Sequence, residues 1–213
     1  MNAIINFFQE GGTFMYPIAV VMAIGLAIAI ERLLFLNKEK SSNRQTFEEI
    51  LPMLQKRDFR GALSYANTAD SKMGNIFATA IGRMPTSTKR EDIELAMEEG
   101  LMEAIPQLEK RTPYVATYAN IATLLGLLGT IMGLIAAFSA VANAAPAEKA
   151  ALLSQSISVA MNTTAFGLMA AIPLLLLHSY LQSKTSDIVD SLEMASVKFL
   201  NLIAERKPTQ NNN

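Results

Sequence analysis

Three threonines, Thr130, Thr163 and Thr164, each lie inside a long uncharged stretch. A hydroxyl in such surroundings can hydrate an ion or orient a carboxylate during proton transfer. It can also simply bond back to the carbonyl one turn earlier. For a single threonine the back-bond is the default; three together point to a polar pathway. Their neighbours are small. At about 100° per residue, Ala119, Ala122, Gly126, Gly129, Thr130, Gly133, Ala137 and Ala140 share an arc of roughly 120° that ends at Thr123. Leu124, Leu127, Leu128, Ile131, Leu134, Ile135 and Phe138 fill another arc. In the following stretch Ser156, Ala160, Thr163, Thr164, Gly167, Ala170 and Ala171 share one side, with Ser158 and Asn162 elsewhere on the wheel.

Such faces let two helix backbones approach closely. One reading makes them packing surfaces alone, with Gly126, Gly129, Gly133 and Gly167 at the contact and Pro173 bending its helix. The other adds an ion pathway through Thr130, Thr163 and Thr164. With a turn centred near Ala147, Thr130 and Thr164 lie roughly 17 residues to either side, at equal depth in an antiparallel hairpin.

Neither stretch contains Asp, Glu, Lys or Arg. A proton relay normally needs an ionisable group within the membrane. His178, the only histidine, falls near the end of its stretch and reads as a solvated residue. If protons cross, the titrating group comes from another chain. No nucleophile–base–acid set, metal cluster or phosphate loop is visible, so an enzyme is not expected, nor a cofactor. The absence of cysteine excludes disulfides and thiolate sites. Eighteen basic against 19 acidic residues give no reason to expect a nucleic-acid partner.

The elements that must carry these faces follow from charge distribution. Thr13–Ile30, Thr112–Pro146 and Ala150–Ser183 carry no charged residue, and a bilayer core needs about 20 apolar helical residues. The fold class is therefore all-α: a polytopic membrane protein with three transmembrane helices and a helical cytoplasmic domain. The helices are expected from about Phe14 to Leu36, Tyr114 to Val141 and Leu152 to Leu181. Pro17 is tolerated in a first turn, and Arg32 is expected to snorkel to the interface. No basic residue precedes the first stretch, which reads as a retained helix rather than a signal peptide. Residues 37–113 hold twelve of the 18 basic residues, loop 142–151 holds one and the tail after Leu181 holds four. By the positive-inside rule the N-terminus and the short loop are periplasmic, and 37–113 and 182–213 are cytoplasmic.

Within 37–113, Phe47–Ile50–Leu51–Leu54, Ala62–Leu63–Tyr65–Ala66 and Ile76–Phe77–Ala80–Ile81–Met84 recur at helical spacing. Glu91–Arg111 is a fourth helix, with bends expected at Pro106 and Pro113. Ile188, Leu192, Ala195, Phe199 and Leu202 form a stripe expected to pack on that bundle, before a disordered tail at Pro208–Asn213.

These residues resemble the MotA/TolQ/ExbB proton-channel family, in its three-helix ExbB/TolQ-like branch. The matching stretches are Gly11-Gly12 with Met15-Tyr16-Pro17, Ile30-Glu31-Arg32-Leu33, Leu124 to Gly133, and Asn162 to Leu168 with Ala170-Ala171-Ile172-Pro173. The resemblance implies a stator subunit of a proton-driven motor in the bacterial inner membrane, assembled as a homopentameric ring. It implies an ExbD/TolR-like single-span partner whose intramembrane Asp binds the proton. A TonB-like or TolA-like transducer would carry the work to the cell envelope. Thr130 and Thr164 then fall on the family's pore-facing threonines. Val159, beside Ser158, stands where ExbB-type relatives often carry a glutamate. A non-conducting scaffold that assembles a partner complex is the alternative.

Overall fold

The computed structural model describes residues 11–85 and 89–204. The tail expected at Pro208–Asn213 and the first ten residues lie outside that range. The described residues form six helices and no strand: α1 Met15–Gln55, α2 Phe59–Thr68, α3 Lys72–Arg83, α4 Arg90–Glu109, α5 Thr112–Asn143 and α6 Lys149–Ala204. Three helical stretches, Met15–Gln55, Arg90–Ala142 and Lys149–Ile203, are long and apolar enough to cross a membrane.

Two of these helices outrun their apolar segments. α1 continues past Leu36 for a total of 41 residues, and α6 continues past Leu181 for a total of 56. Between Asn37 and Gln55 there is no glycine, and Pro52 lies only in the last turn. Between Gln182 and Ala204 there is neither glycine nor proline, so nothing stops propagation where the polar segment begins. α1 ends in a Schellman arrangement, with Asp58 N–H donating to Met53 O at 2.9 Å and Arg57 N–H to Leu54 O at 3.0 Å. Arg57, at φ 61°, takes the left-handed position usually given to glycine.

The bend before α5 falls at Lys110–Arg111. Pro106 lies inside α4, and Pro113 occupies the first turn of α5, where its missing N–H costs little. Arg111 itself adopts φ 69°, a left-handed conformation without a glycine to ease it.

The chain divides into two compact units. The first comprises the chain to Arg32 with Arg111–Leu181, and the second Leu33–Lys110 with the chain from Gln182. In the first, Met15 and Ile18 of α1 pack with Ala122 of α5 and with Phe166 and Ala170 of α6. Gly25 brings α1 against both other helices: a β-carbon there would lie 2.9 Å from Leu174 and 3.2 Å from Tyr118. Arg32 is 3% exposed, held inside the protein rather than extended outward as its position near the span's end suggested. Glu31 forms an ion pair with Arg111 at 3.5 Å.

The second unit is a small helical bundle. Ile50, Leu54, Ile76, Phe77, Met97, Leu108, Leu192 and Phe199 are among its buried residues. Phe77 sits between Phe47 and Phe199, with ring centroids 6.4 and 5.3 Å away. Asp58 and Ser71 cap α2 and α3, accepting from Gly61 N–H and Gly74 N–H.

Buried polar contacts from α1 complete the start of α3. Thr46 hydrogen-bonds Ser71 at 2.8 Å, and Asn43 Oδ1 accepts from Met73 N–H at 2.9 Å. Asn43 and Met73 are both 2% exposed. Asn43→Ala should therefore lower stability by about 1–3 kcal/mol, because it strands a buried amide. Thermal melts in detergent, with hydrogen exchange at the Met73 amide, check this. An unchanged melt with unchanged exchange would refute it, and Asn43→Asp, which keeps an acceptor, should lose less.

Candidate functional site

α5 and α6 pack through their glycines. A β-carbon on Gly126 would lie 3.2 Å from Gly167 Cα, and one on Gly167 would lie 2.8 Å from Ala122 O and 3.0 Å from Gly126 Cα. Further along, a β-carbon on Gly133 would meet Ala160 Cβ at 2.9 Å. At Gly129 it would collide with the Thr163 methyl and approach Phe14 Cβ to 3.3 Å. A side chain at Gly129, Gly133 or Gly167 would force a shift, and one at Gly126 would press on backbone, which is why small residues gather on one face of α5. Pro173 lies within α6, which stays helical on both sides of it.

That close approach brings two hydroxyls together. Thr130 Oγ1 and Thr164 Oγ1 hydrogen-bond each other across the helix pair. Thr164 donates to Gly126 O at 3.0 Å. Thr130 reaches Gly126 O at 3.3 Å and Ala160 O at 3.4 Å. Two hydroxyls supply two protons to these contacts, so only two of the four can be donated at once. The remaining lone pairs can accept from an outside donor, and rotation of either hydroxyl reverses the direction of the shared bond. Both residues are half-buried. The arrangement is a neutral cluster of two hydroxyls and two carbonyls, able to relay or orient a proton but not to carry its charge.

Thr163 is placed differently. It is 2% exposed and donates to Gly11 O at 2.7 Å or to Val159 O at 2.9 Å. The structure thus joins Thr130 to Thr164 and directs Thr163 towards the segment before α1. Gly12 beside it has φ 74°, and a β-carbon there would also meet Val159 at 3.0 Å. Glycine is favoured at that residue on both counts. His178 is half-buried on α6, 14 residues beyond Thr164, or roughly 21 Å along the axis.

The backbone carbonyls of Gly126 and Ala160 belong to the site although nothing in the residue pattern marks them. Side-chain identity carries no signal for a carbonyl; its place follows from which turn of α6 faces which turn of α5. Much of the outward surface of both helices is apolar, with Leu124, Phe138, Met161 and Leu176 each more than 60% exposed. Such surface requires lipid or further protein chains.

Residues 68–194 match the model of the MotA/TolQ/ExbB proton channel family. A biopolymer transport ExbB homolog from Methanothermobacter thermautotrophicus is 28% identical over 195 residues, which cover 91% of this chain and 68% of that protein. The ExbB-like 3 biopolymer transport protein of Synechocystis is 28% identical over 179 residues, covering 82% and 83%. The Tol-Pal system protein TolQ of Haemophilus influenzae is 34% identical over 93 residues, covering 44% and 40%. In three dimensions the chain is similar to a chain of the Campylobacter jejuni MotAB structure. The TM-score is 0.61 at 18% identity, with 93% of this chain and 80% of that one covered. This likeness concerns the fold.

Proposed function

Because this chain belongs to the MotA/TolQ/ExbB proton channel family, we propose that it is an ExbB/TolQ-like stator subunit of an inner-membrane, proton-driven motor. It is a multi-pass membrane protein, and its family is one of transport and stator proteins rather than enzymes. The observation that carries the proposal is the Thr130–Thr164 hydroxyl pair seated on the Gly126 carbonyl. The cluster is polar and uncharged, and no Asp or Glu lies in 112–146 or 150–183. It is therefore half of a proton site.

The missing half is a carboxylate from an ExbD/TolR-like single-span partner with an intramembrane Asp. The hydroxyls orient or hydrate that carboxylate as it gains and loses its proton. Thr163 contributes to the same pathway from behind, holding the Gly11 segment against α6. The small faces and exposed apolar surfaces favour closure into a ring with heterologous contacts, a homopentamer around the partner's helices. The work goes to envelope or outer-membrane transport through a TonB-like or TolA-like transducer.

The test is proton flux in vesicles containing this chain with and without the single-span protein that co-purifies with it. Flux should require both chains and vanish when the partner's intramembrane Asp becomes Asn. The absence of a carboxylate from the apolar stretches 112–146 and 150–183 also favours a second reading, a non-conducting scaffold. Assembly with the partner but no flux would establish that reading instead.

In this proposal the second unit lies in the cytoplasm. Asp70, whose side chain is 94% exposed, is a clean reporter because the chain has no cysteine. Asp70→Cys should react with an impermeant thiol reagent only from the cytoplasmic side. Labelling of intact cells from the periplasm would reverse the topology.

A further inference from the structure

We propose that a groove between α4 and α6 in the second unit, apolar along its floor and acidic along its rim, is a docking site for a cationic amphipathic helix of a soluble cytoplasmic protein. The inference goes beyond the stator reading and rests on it in one respect, that the second unit lies in the cytoplasm.

The two walls are amphipathic stripes set side by side. On α4, Glu94, Glu98, Leu101, Met102 and Ile105 recur at helical spacing, and on α6 Glu193, Val197 and Leu200 do the same. With Met97 they enclose a cavity of about 380 Å³. From Glu94 to Ile105 the α4 wall rises roughly 17 Å, about three turns of a helix. Met97 and Leu200 are buried in its floor, whereas Met102 is 71% and Val197 56% exposed. Large apolar side chains left open outside the membrane-spanning segments mark an interaction site. Methionine suits such a floor, because its unbranched thioether adapts to the side chains laid on it.

The charge around this floor has one sign. α4 carries seven acidic residues and one basic, and no Lys or Arg lines the groove. Elsewhere in the unit the carboxylates are matched: Asp70 pairs with Lys38, Asp187 with Lys40, Glu48 with Arg44 and Glu99 with Arg83. Among the described residues, no Lys or Arg pairs with Glu94, Glu98 or Glu193.

The occupant follows from that rim. A helix with apolar anchors at i, i+3 or i+4 and i+7 covers the floor, and Lys or Arg beside the anchors meets the three carboxylates. Anionic lipid headgroups are repelled by the same charges. Two copies of this chain meeting groove to groove would set carboxylate against carboxylate. The basic side chains of α1, Lys38, Lys40 and Arg44, are already engaged within their own chain.

The experiment uses the full chain in its assembled complex, held in phosphatidylcholine nanodiscs, with Val197→Cys as its single thiol. The probe is a synthetic helix of about four turns, roughly 14 residues, with leucine at helical spacing and lysine elsewhere. Its controls are a scrambled peptide of the same composition and a peptide with Glu in place of Lys. Without peptide, Val197→Cys should react readily with a hydrophilic thiol reagent. The Leu/Lys helix should slow that reaction about tenfold or more, and neither control should. Adding Glu94→Lys, Glu98→Lys and Glu193→Lys on the exposed rim should abolish this protection and transfer it to the Leu/Glu helix, a gain that a misfolded variant would not show.

No protection by the Leu/Lys helix, equal protection by either control, or protection that survives reversal of the rim would overturn the proposal. A Val197→Cys thiol unreactive in the complex but reactive once detergent dissociates it would show a second copy or the single-span partner already seated there, and would overturn a soluble occupant. Nanodiscs open both faces to the peptide, so none of these outcomes depends on flux or topology. Periplasmic labelling of Asp70→Cys would refute the orientation and overturn a cytoplasmic occupant, even where the peptide protects.

Discussion

Replacing Thr164 and Thr130 with valine is expected to cut proton flux by about tenfold or more while the complex still assembles. Each hydroxyl removed takes away a polar interaction worth roughly 1–3 kcal/mol when its partner stays desolvated. Valine matches threonine in volume, so α5 and α6 can keep their separation. The two positions should differ in degree. Thr164 makes the shorter hydrogen bond to Gly126 O, 3.0 Å against 3.3 Å for Thr130. Thr130 alone would keep only its longer bonds to Gly126 O and Ala160 O, so Thr164→Val should be the more damaging single change. Serine at either position keeps the hydroxyl and should restore most of the flux. The measurement is proton uptake into vesicles at matched protein content. If the double valine variant assembles and conducts like the parent, the pair is structural.

Gly167→Ala should prevent normal closure of the α5–α6 pair, and Gly167→Val should do so more strongly. The new β-carbon would press on Ala122 O at 2.8 Å and Gly126 Cα at 3.0 Å. Both are backbone atoms, which cannot rotate away as a side chain can. Overpacking of this kind typically costs about 1–3 kcal/mol, and more when two rigid helices must separate. The expected readout is a lower melting temperature in detergent and loss of the oligomer in size-exclusion chromatography. Gly82 is the internal control: a β-carbon there meets nothing within 4 Å, and Gly82→Ala should stabilise α3 by roughly 0.5–1 kcal/mol. A Gly167→Ala protein as stable and as oligomeric as Gly82→Ala would mean that α5 and α6 are not held this closely.

These two experiments separate chemistry from packing. The valine variants remove oxygen atoms and leave the helix spacing alone, whereas the Gly167 variants move helices and leave the hydroxyls in place. Loss of flux with an intact oligomer in the first, and loss of the oligomer in the second, is the combination the proposed proton site and ring predict.

Helix class and span number were legible because bilayer thickness and hydropathy are local constraints: a long uncharged run has few other structures open to it. The segregation of Gly126, Gly129 and Gly133 onto one face was legible for a similar reason, since 3.6-residue periodicity maps sequence directly onto helix faces. Helix ends were less so. A drop in hydropathy at Asn37 or Gln182 marks a change of solvent, and a helix needs a cap, glycine or proline to stop. The break at Lys110–Arg111 is marked only by Pro113 just beyond it, since Arg111 adopts its left-handed conformation without glycine.

The neighbouring threonines show where local rules end. On a helical wheel Thr163 and Thr164 share one small-residue side, and composition treats them alike. They are nevertheless about 100° apart, and which one meets α5 depends on the register in which Gly126 and Gly167 close. That register sets Thr164 against Thr130 and turns Thr163 to the Gly11 carbonyl. Residue types and their periodicity are properties of one helix, and they were enough to name the helices, their faces and the candidate hydroxyls. The pairing of two hydroxyls over a shared carbonyl depends on the rotation and translation of one helix against another. A turn centred near Ala147 already suggests matching depth, but the rotation that sets one hydroxyl against the other arises only when backbones pack, so the tertiary structure alone could assign it.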